Sequence, residues 1–227
     1  MAKIEGELKQ LKEEVLGMFD LVHSQLEKAL SALLNFDKDL AREVIMVEKR
    51  VNSSELKIDR DCEDIFAIYC PVAVDLRMLL AVLKINTNLE RMGDIAEAIA
   101  KMIIDTEAEF KKDLLDSTKI IEMFSEAIQI VEQIKASFEN EDSATARGVF
   151  KRDEFLDSIN RKANQLIANY LKDHPADIDQ ALNVLSIIRR LERVGDQAEN
   201  IAEEIIFYLE AKVIRHSPRK RKSSEEN

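Results

Sequence analysis

Two stretches of this chain, about a hundred residues apart, carry nearly the same sequence. When residues 82–103 are placed over residues 184–205, 13 of the 22 positions are identical. A second similarity, between residues 41–44 and 146–149, needs a shift three residues larger. Such a repeat predicts two copies of one supersecondary unit, since each copy has an equivalent apolar face to bury. We therefore expect the 227-residue chain to fold as two similar halves.

The repeated unit is predicted to be helical. Apolar residues recur at steps of three and four, which is the period of a helix with one buried stripe. With only 5 glycines and 3 prolines, the chain has little turn chemistry for a many-stranded sheet. The pattern, with breaks at capping residues and prolines, predicts six helices. They cover approximately residues 3–35, 40–69, 72–110, 114–139, 143–172 and 177–215.

The predicted fold class is all-α, with two tandem three-helix bundles related by internal duplication and packed with a pseudo-twofold relation. The first repeat covers residues 1–110 and the second covers residues 111–215. Residues 216–227 form a basic tail. From Lys212 to Lys222 the chain has six basic residues and no acid. We expect a disordered, solubilising tail; contact with an acidic partner or anionic lipid is the alternative.

Charge and hydropathy narrow the functional classes. The formal net charge of −11 argues against nucleic-acid binding, because excess carboxylates repel phosphate backbones. The N-terminal residues lack the apolar stretch of a secretory signal, and no apolar run approaches the roughly 20 residues that span a bilayer. We expect a soluble, cytosolic protein. Cys62 and Cys70 lie about 12 Å apart on one predicted helix, too far to bridge, and are expected to be small core residues.

The repeat carries a pair of carboxylates in each half. Glu90 and Asp94 are one helical turn apart, as are Glu192 and Asp196, so each pair projects from one side of its helix. Like charges at this step destabilise a helix slightly unless a cation neutralises them. Oxygen donors suit Mg²⁺ or Ca²⁺, and bridging oxygens also suit Mn²⁺, Fe³⁺ or Zn²⁺. The alternative is a solvated acidic face, and Glu97 forms an ordinary pair with Lys101.

A glycine lies inside the same helix in each half, at Gly93 and Gly195. Glycine within a helix costs about 1 kcal/mol relative to alanine, so we expect a neighbouring helix to approach closely at both positions.

The sequence lacks the signatures of several common kinds of active site. There is no glycine-rich phosphate loop, no nucleophile with a base, and no histidine near the acidic pairs as in a ferritin-like di-iron oxidase.

These residues resemble the signature of a known family. Both copies read Glu-Arg-x-Gly-Asp on the third helix of a three-helix unit, and residues 71–77 read Pro-Val-Ala-Val-Asp-Leu-Arg. Residues 200–203 and 215–216 match a family C-terminal segment. Over approximately residues 5–217 the chain resembles the PhoU family.

The resemblance implies a non-catalytic cytosolic regulator that restrains phosphate uptake and phosphate-starvation signalling. Its implied partners are the ATPase subunit of the phosphate ABC transporter and a membrane sensor histidine kinase. It implies a homodimer or larger homo-oligomer, reaching the membrane only through its partners. A metal-dependent phosphohydrolase and a generic helical scaffold remain the alternatives.

The resemblance also implies multinuclear metal clusters of iron, zinc or manganese, with Mg²⁺ or Ca²⁺ as further candidates. One predicted ligand set comprises Glu48, Asn52, Glu90 and Asp94. The other comprises Asp153, Asp157, Glu192 and Asp196. Asn52 stands where the second half has Asp157, so we expect the first site to carry less negative charge and to bind metal less tightly.

Overall fold

The computed structural model describes residues 2–214, with side chains from residue 4 onward. Seven α-helices form the described part of the chain. They are α1 (Ala2–Asn35), α2 (Lys38–Tyr69), α3 (Ala73–Asp105), α4 (Lys112–Thr118), α5 (Ile120–Asn140), α6 (Ser143–Asp173) and α7 (Ile178–Glu210), with a 3-10 turn at Pro175–Asp177. The all-α prediction is confirmed.

Each half packs as a three-helix bundle. Helices α1, α2 and α3 contact one another in the first half, and α5, α6 and α7 do so in the second, with α4 against α5 and α6. The halves meet where α3 packs along α7 and where α1 packs along α5. The two tandem bundles are therefore as predicted. The domain boundaries at residues 110 and 215 stay a prediction, and the proposed tail at 216–227 lies outside the described residues.

Several helix ends agree with the capping pattern. Asp37 accepts hydrogen bonds from the backbone N–H groups of Asp39 and Leu40, and Asp142 accepts one from Ala144. These side chains satisfy amides that have no partner within the helix. Helix α2 ends at Tyr69, because Cys70 takes a left-handed conformation just before Pro71.

The third predicted helix is shorter than expected, since α3 ends at Asp105 and not at Phe110. Lys38 Nζ donates to the carbonyl oxygens of Ile104 and Thr106, both at 2.7 Å, and the Thr106 hydroxyl donates to Met102 O. These bonds satisfy the last carbonyls, so the helix can stop. Phe110 fits the apolar pattern of the helix because its side chain is buried, although its backbone is not helical.

Two other predicted elements also differ. The predicted helix 114–139 is divided at Lys119, which adopts a left-handed conformation between α4 and α5. The Thr118 hydroxyl lies within hydrogen-bond distance of the carbonyl oxygens of Leu114 and Leu115, and so closes α4 locally. The last helix ends at Glu210 and not near residue 215, because Ala211 is left-handed.

Polar pairs set the alignment of α3 and α7. Lys84 Nζ lies 3.1 Å from Glu204 Oε2, and Asn200 Nδ2 donates to Asn88 Oδ1 at 3.3 Å. The numbering rises along one helix as it falls along the other, so these equivalent helices run antiparallel. This arrangement agrees with the predicted pseudo-twofold relation.

The cysteine prediction is only half right. Both thiols are free, and Cys62 is buried as expected, but Cys70 is exposed at the end of α2. Within residues 2–214, no helix is both long and apolar enough to cross a membrane.

Candidate metal centre

The turn-spaced carboxylates lie on α3 and α7, beside the helix that precedes each. Glu90 and Glu192 are half-buried, whereas Asp94 and Asp196 are exposed. Each pair thus lies at the edge of its bundle and not within the apolar stripe, as the spacing predicts.

A buried carboxylate from α2 completes the first cluster. Glu48 is 3% exposed, and its Oε2 accepts a 2.7 Å hydrogen bond from the Gln25 side chain on α1. Its Oε1 is buried without a hydrogen-bond partner in the described part of the chain. Burial raises the pKa of Glu48 to about 7; the Gln25 hydrogen bond opposes this rise, and the charges of Asp94, Glu97 and Glu90 add to it.

Gly93 explains how that carboxylate fits against α3. A Cβ added at Gly93 would lie 2.5 Å from Glu48 Oε2 and 3.2 Å from Val51 Cγ1. Any side chain at this position would therefore displace the buried carboxylate. The close approach predicted from the two glycines is confirmed, and the approaching group is a carboxylate as well as a helix.

The second half repeats this arrangement with a shorter acid. Asp153 on α6 is 2% exposed, and a Cβ added at Gly195 would collide with its Oδ1 and lie 2.9 Å from Leu156 Cδ1. The pKa of Asp153 is raised to about 8, chiefly by burial. The charges of Glu199, Asp157 and Asp196 and a hydrogen bond with Glu199 contribute to this rise. Asp153 Oδ1 is a second buried oxygen without a hydrogen-bond partner in residues 2–214.

The charges that raise the pKa of Glu90 and of Glu192 indicate that the carboxylates of each half lie together. Burial and the charge of Asp94 raise the pKa of Glu90. Burial raises the pKa of Glu192, as do the charges of Asp196 and Asp157. The second predicted set is therefore brought to one side of its bundle. Asp157 also pairs with Arg161 at 3.0 Å.

Asn52 is the only neutral member of the first predicted set, and its side chain is exposed. Glu55, two turns from Glu48 on α2, supplies the nearby charge that Asn52 lacks. Burial raises its pKa, as do the charges of Asp59 and Asp94, and its own charge raises the pKa of Glu90. Its equivalent in the second half is neutral Asn160, which hydrogen-bonds Glu192. Glu55 thus supplies a charge in the first half where the second half has a neutral residue, and the weaker metal binding expected of the first site stays a prediction.

The sequence did not indicate that Glu55, Glu97 and Glu199 belong to the carboxylate clusters. Glu97 pairs with Lys101 at 2.6 Å as predicted, but its charge also raises the pKa of Glu48. Glu199 hydrogen-bonds Asp153. The signal was present, since each of these two glutamates follows its Glu-x-x-x-Asp pair by three residues. What was missing was the packing of the neighbouring helix.

The donor chemistry suits a hard cation, because every charged donor is a carboxylate oxygen. In the side-chain arrangement of residues 4–214, no three His, Cys, Asp or Glu side chains converge closely enough to hold a metal ion. The buried oxygens without hydrogen-bond partners, Glu48 Oε1 and Asp153 Oδ1, are the features that fit cation binding.

Comparison with known proteins identifies the fold family. The sequence model of the PhoU domain matches residues 15–103 and again residues 120–205, which together cover most of the chain. The chain belongs to the PhoU family. The two matched segments coincide with the two bundles, each containing one Gly-Asp motif with its buried acid from the preceding helix.

Individual PhoU proteins match over nearly the whole chain. The phosphate-specific transport system accessory protein PhoU of Edwardsiella tarda is 30% identical over 211 residues, covering 93% of this chain and 86% of that protein. The PhoU homolog of Pseudomonas aeruginosa is 31% identical over 213 residues, covering 93% and 87%.

Two crystal structures share the fold. PhoU from Pseudomonas aeruginosa superposes with a TM-score of 0.85 at 30% identity, covering 92% of this chain and 99% of that one. The phosphate transport system regulatory protein PhoU from Streptococcus pneumoniae gives a TM-score of 0.83 at 26% identity, covering 92% and 98%.

Proposed function

We propose that this PhoU-family protein is a cytoplasmic, non-catalytic regulator of phosphate uptake. It restrains phosphate-starvation signalling by contacting the ATPase subunit of the phosphate ABC transporter and the sensor histidine kinase of the phosphate regulon. It acts as a homodimer or larger homo-oligomer and reaches the membrane only through these partners.

Likeness over nearly the whole chain is the observation that carries this proposal. The relatives named as phosphate transport accessory proteins match across both bundles and not within one shared segment. The Streptococcus pneumoniae structure, described as a regulatory protein, covers both halves as well. A regulator built from two bundles exposes long helical surfaces, which suits contact with two different partners.

Co-purification tests the regulatory role. The tagged chain is expressed in cells with the transporter and recovered after growth at high and at low phosphate. The ATPase subunit is expected to accompany it in at least one condition. Absence of the ATPase in both conditions would contradict the proposed contact, and static light scattering of the purified chain tests the proposed oligomer.

We further propose that each bundle binds metal through its carboxylate cluster. Glu48, Glu90 and Asp94, with Glu55 beside them, would hold a cation in the first half. Asp153, Asp157, Glu192 and Asp196 would do so in the second, with Glu199 in contact with Asp153. Asn52 stays in the predicted first set as a neutral ligand.

The buried carboxylates support this proposal physically. Glu48 and Asp153 are removed from water beside like charges, an arrangement that costs free energy unless protons or cations compensate it. A bound cation would supply that compensation. Iron or manganese clusters suit such carboxylates, zinc would accept them, and Mg²⁺ or Ca²⁺ would use the same oxygens. Because protons must leave before a metal binds, affinity should rise with pH.

Elemental analysis tests the metal sites. A Glu192→Gln, Asp196→Asn variant should lose metal relative to the unmodified protein. The matched control, Glu154→Gln with Asp173→Asn, neutralises two exposed acids on α6 and should retain it. Equal metal content in the site variant and the unmodified protein would remove the assignment. Phosphatase assays with added Mn²⁺ or Fe²⁺ test the enzyme alternative, which requires turnover that the site variant abolishes.

A further inference from the structure

A stripe of acids runs along α7 from the candidate metal centre toward the C-terminal end. Glu192, Asp196, Glu199 and Glu203 follow one another at steps of four, three and four residues, which places all four on one face of the helix. Glu199 lies beside Asp153, whereas Glu203 lies beyond the cluster. The stripe therefore connects the second site with the last turns of α7.

The chain turns back toward this stripe after α7. Ala211 is left-handed, with φ 55°, so residues 212–214 do not continue the helix axis. Val213 and Ile214 line a cavity of about 150 Å³ together with Lys84, Glu203 and Phe207. Glu203 lies about 10 Å before the end of α7. The last described residues thus line the same cavity as one acid of the stripe.

The residues that follow are basic. Arg215, Arg219, Lys220, Arg221 and Lys222 come within eight residues of Ile214, with no acid among them. Eight extended residues reach at most about 28 Å. Glu203 and Glu192 are only about 16 Å apart along the helix. The segment is therefore long enough for its basic cluster to reach any acid of the stripe.

We propose that the basic segment, residues 215–222, binds in cis along the acidic stripe of α7 and competes with cations at the second metal site. Arginine and lysine pair with carboxylates, and attachment at Ile214 gives the segment a high effective concentration at the stripe. Its docking stands independently of metal binding. The competition rests on the proposed function, since it requires that the second cluster bind metal.

Zero-length carbodiimide cross-linking of the metal-free full chain tests the docking. Lys220 and Lys222 are expected to link to Glu203 or Asp196, because Glu199 is buried. Links predominantly to other helices would overturn the proposal. In an equal mixture of ¹⁵N-labelled and unlabelled chains, links should join segments of the same isotope; mixed-isotope links at this stripe would show docking onto a second copy and contradict binding in cis.

Manganese titration tests the competition. The variant Arg219→Gln, Lys220→Gln, Arg221→Gln, Lys222→Gln should bind Mn²⁺ about threefold to tenfold more tightly at low salt, and the gain should vanish at high salt. The control replaces four exposed lysines with glutamine, namely Lys9, Lys112, Lys162 and Lys172. An equal gain in the control, or none in the tail variant, would overturn the competition. Absence of Mn²⁺ binding in every variant would contradict the proposed metal site. The cross-linking experiment would still decide whether the basic segment docks on α7.

Discussion

Replacing Gly195 with alanine should destabilise the protein, although alanine is the better helix former. The added Cβ would occupy space that Asp153 Oδ1 now fills and would lie 2.9 Å from Leu156 Cδ1. Asp153 is buried and hydrogen-bonded to Glu199, so moving it sacrifices that bond. The substitution therefore sets a local helix preference against a tertiary clash.

The opposing effects differ in size. Glycine to alanine inside a helix stabilises by about 1 kcal/mol. Overpacking a well-filled interior costs about 1–3 kcal/mol, and the lost hydrogen bond costs about 1 kcal/mol more. The net expectation is a loss of about 1–3 kcal/mol in the free energy of unfolding. Gly17→Ala on α1 is the control, because nothing lies within 4 Å of its added Cβ. It should stabilise by about 0.5–1 kcal/mol.

Urea unfolding followed by circular dichroism measures both changes, with equal slopes required for the comparison. The same Gly195→Ala change is then made in an Asp153→Ala background, where the carboxylate no longer occupies the space. There the cost should largely disappear. If Gly195→Ala stabilises the protein as much as Gly17→Ala does, the glycine is not needed to accommodate the carboxylate and the steric argument fails.

Three further predictions follow from the buried charges and the thiols. Because the folded-state pKa of Asp153, about 8, lies above its ordinary value of 3.8, the metal-free protein should lose stability as pH rises between those values. Urea unfolding in the presence of a chelator should show that the free energy of unfolding of Asp153→Asn depends less steeply on pH. An unchanged dependence would contradict the raised pKa. Lys84→Ala should lower the free energy of unfolding by about 1–3 kcal/mol, because it removes the ammonium group that pairs with the 2% exposed Glu204. Exchanging the two charges, in the double variant Lys84→Glu with Glu204→Lys, should restore part of this loss. No recovery in the double variant would argue against direct pairing. Thiol labelling of the native chain should modify the exposed Cys70 and should modify Cys62 only after urea unfolds the protein. Cys62 is buried, and burial raises the pKa of its thiol to about 12. Rapid labelling of both thiols would contradict the buried position of Cys62.

The sequence by itself determined the helices, their repeat and the turn-spaced acid pairs. These features are local or periodic: apolar residues at three- and four-residue steps specify a helix face, and the shift of about a hundred residues specifies two equivalent bundles. The spacing of Glu90 and Asp94 alone places both on one side of α3. The ends of α1, α2 and α6 likewise follow from capping residues and Pro71, which act within a few positions.

Only the tertiary structure decided which acids are buried and which lie together. Glu48 is shielded from water because α2 packs against α3 at Gly93, and Asp153 is shielded because α6 packs against α7 at Gly195. No local sequence pattern specifies which residues of two packed helices lie opposite each other. The contributions of Glu55 and Glu199 also depend on contacts between helices distant in sequence. The predicted ends of the third and sixth helices were too late for the same reason, because Phe110 and Ile214 pack against the core from segments that are not helical.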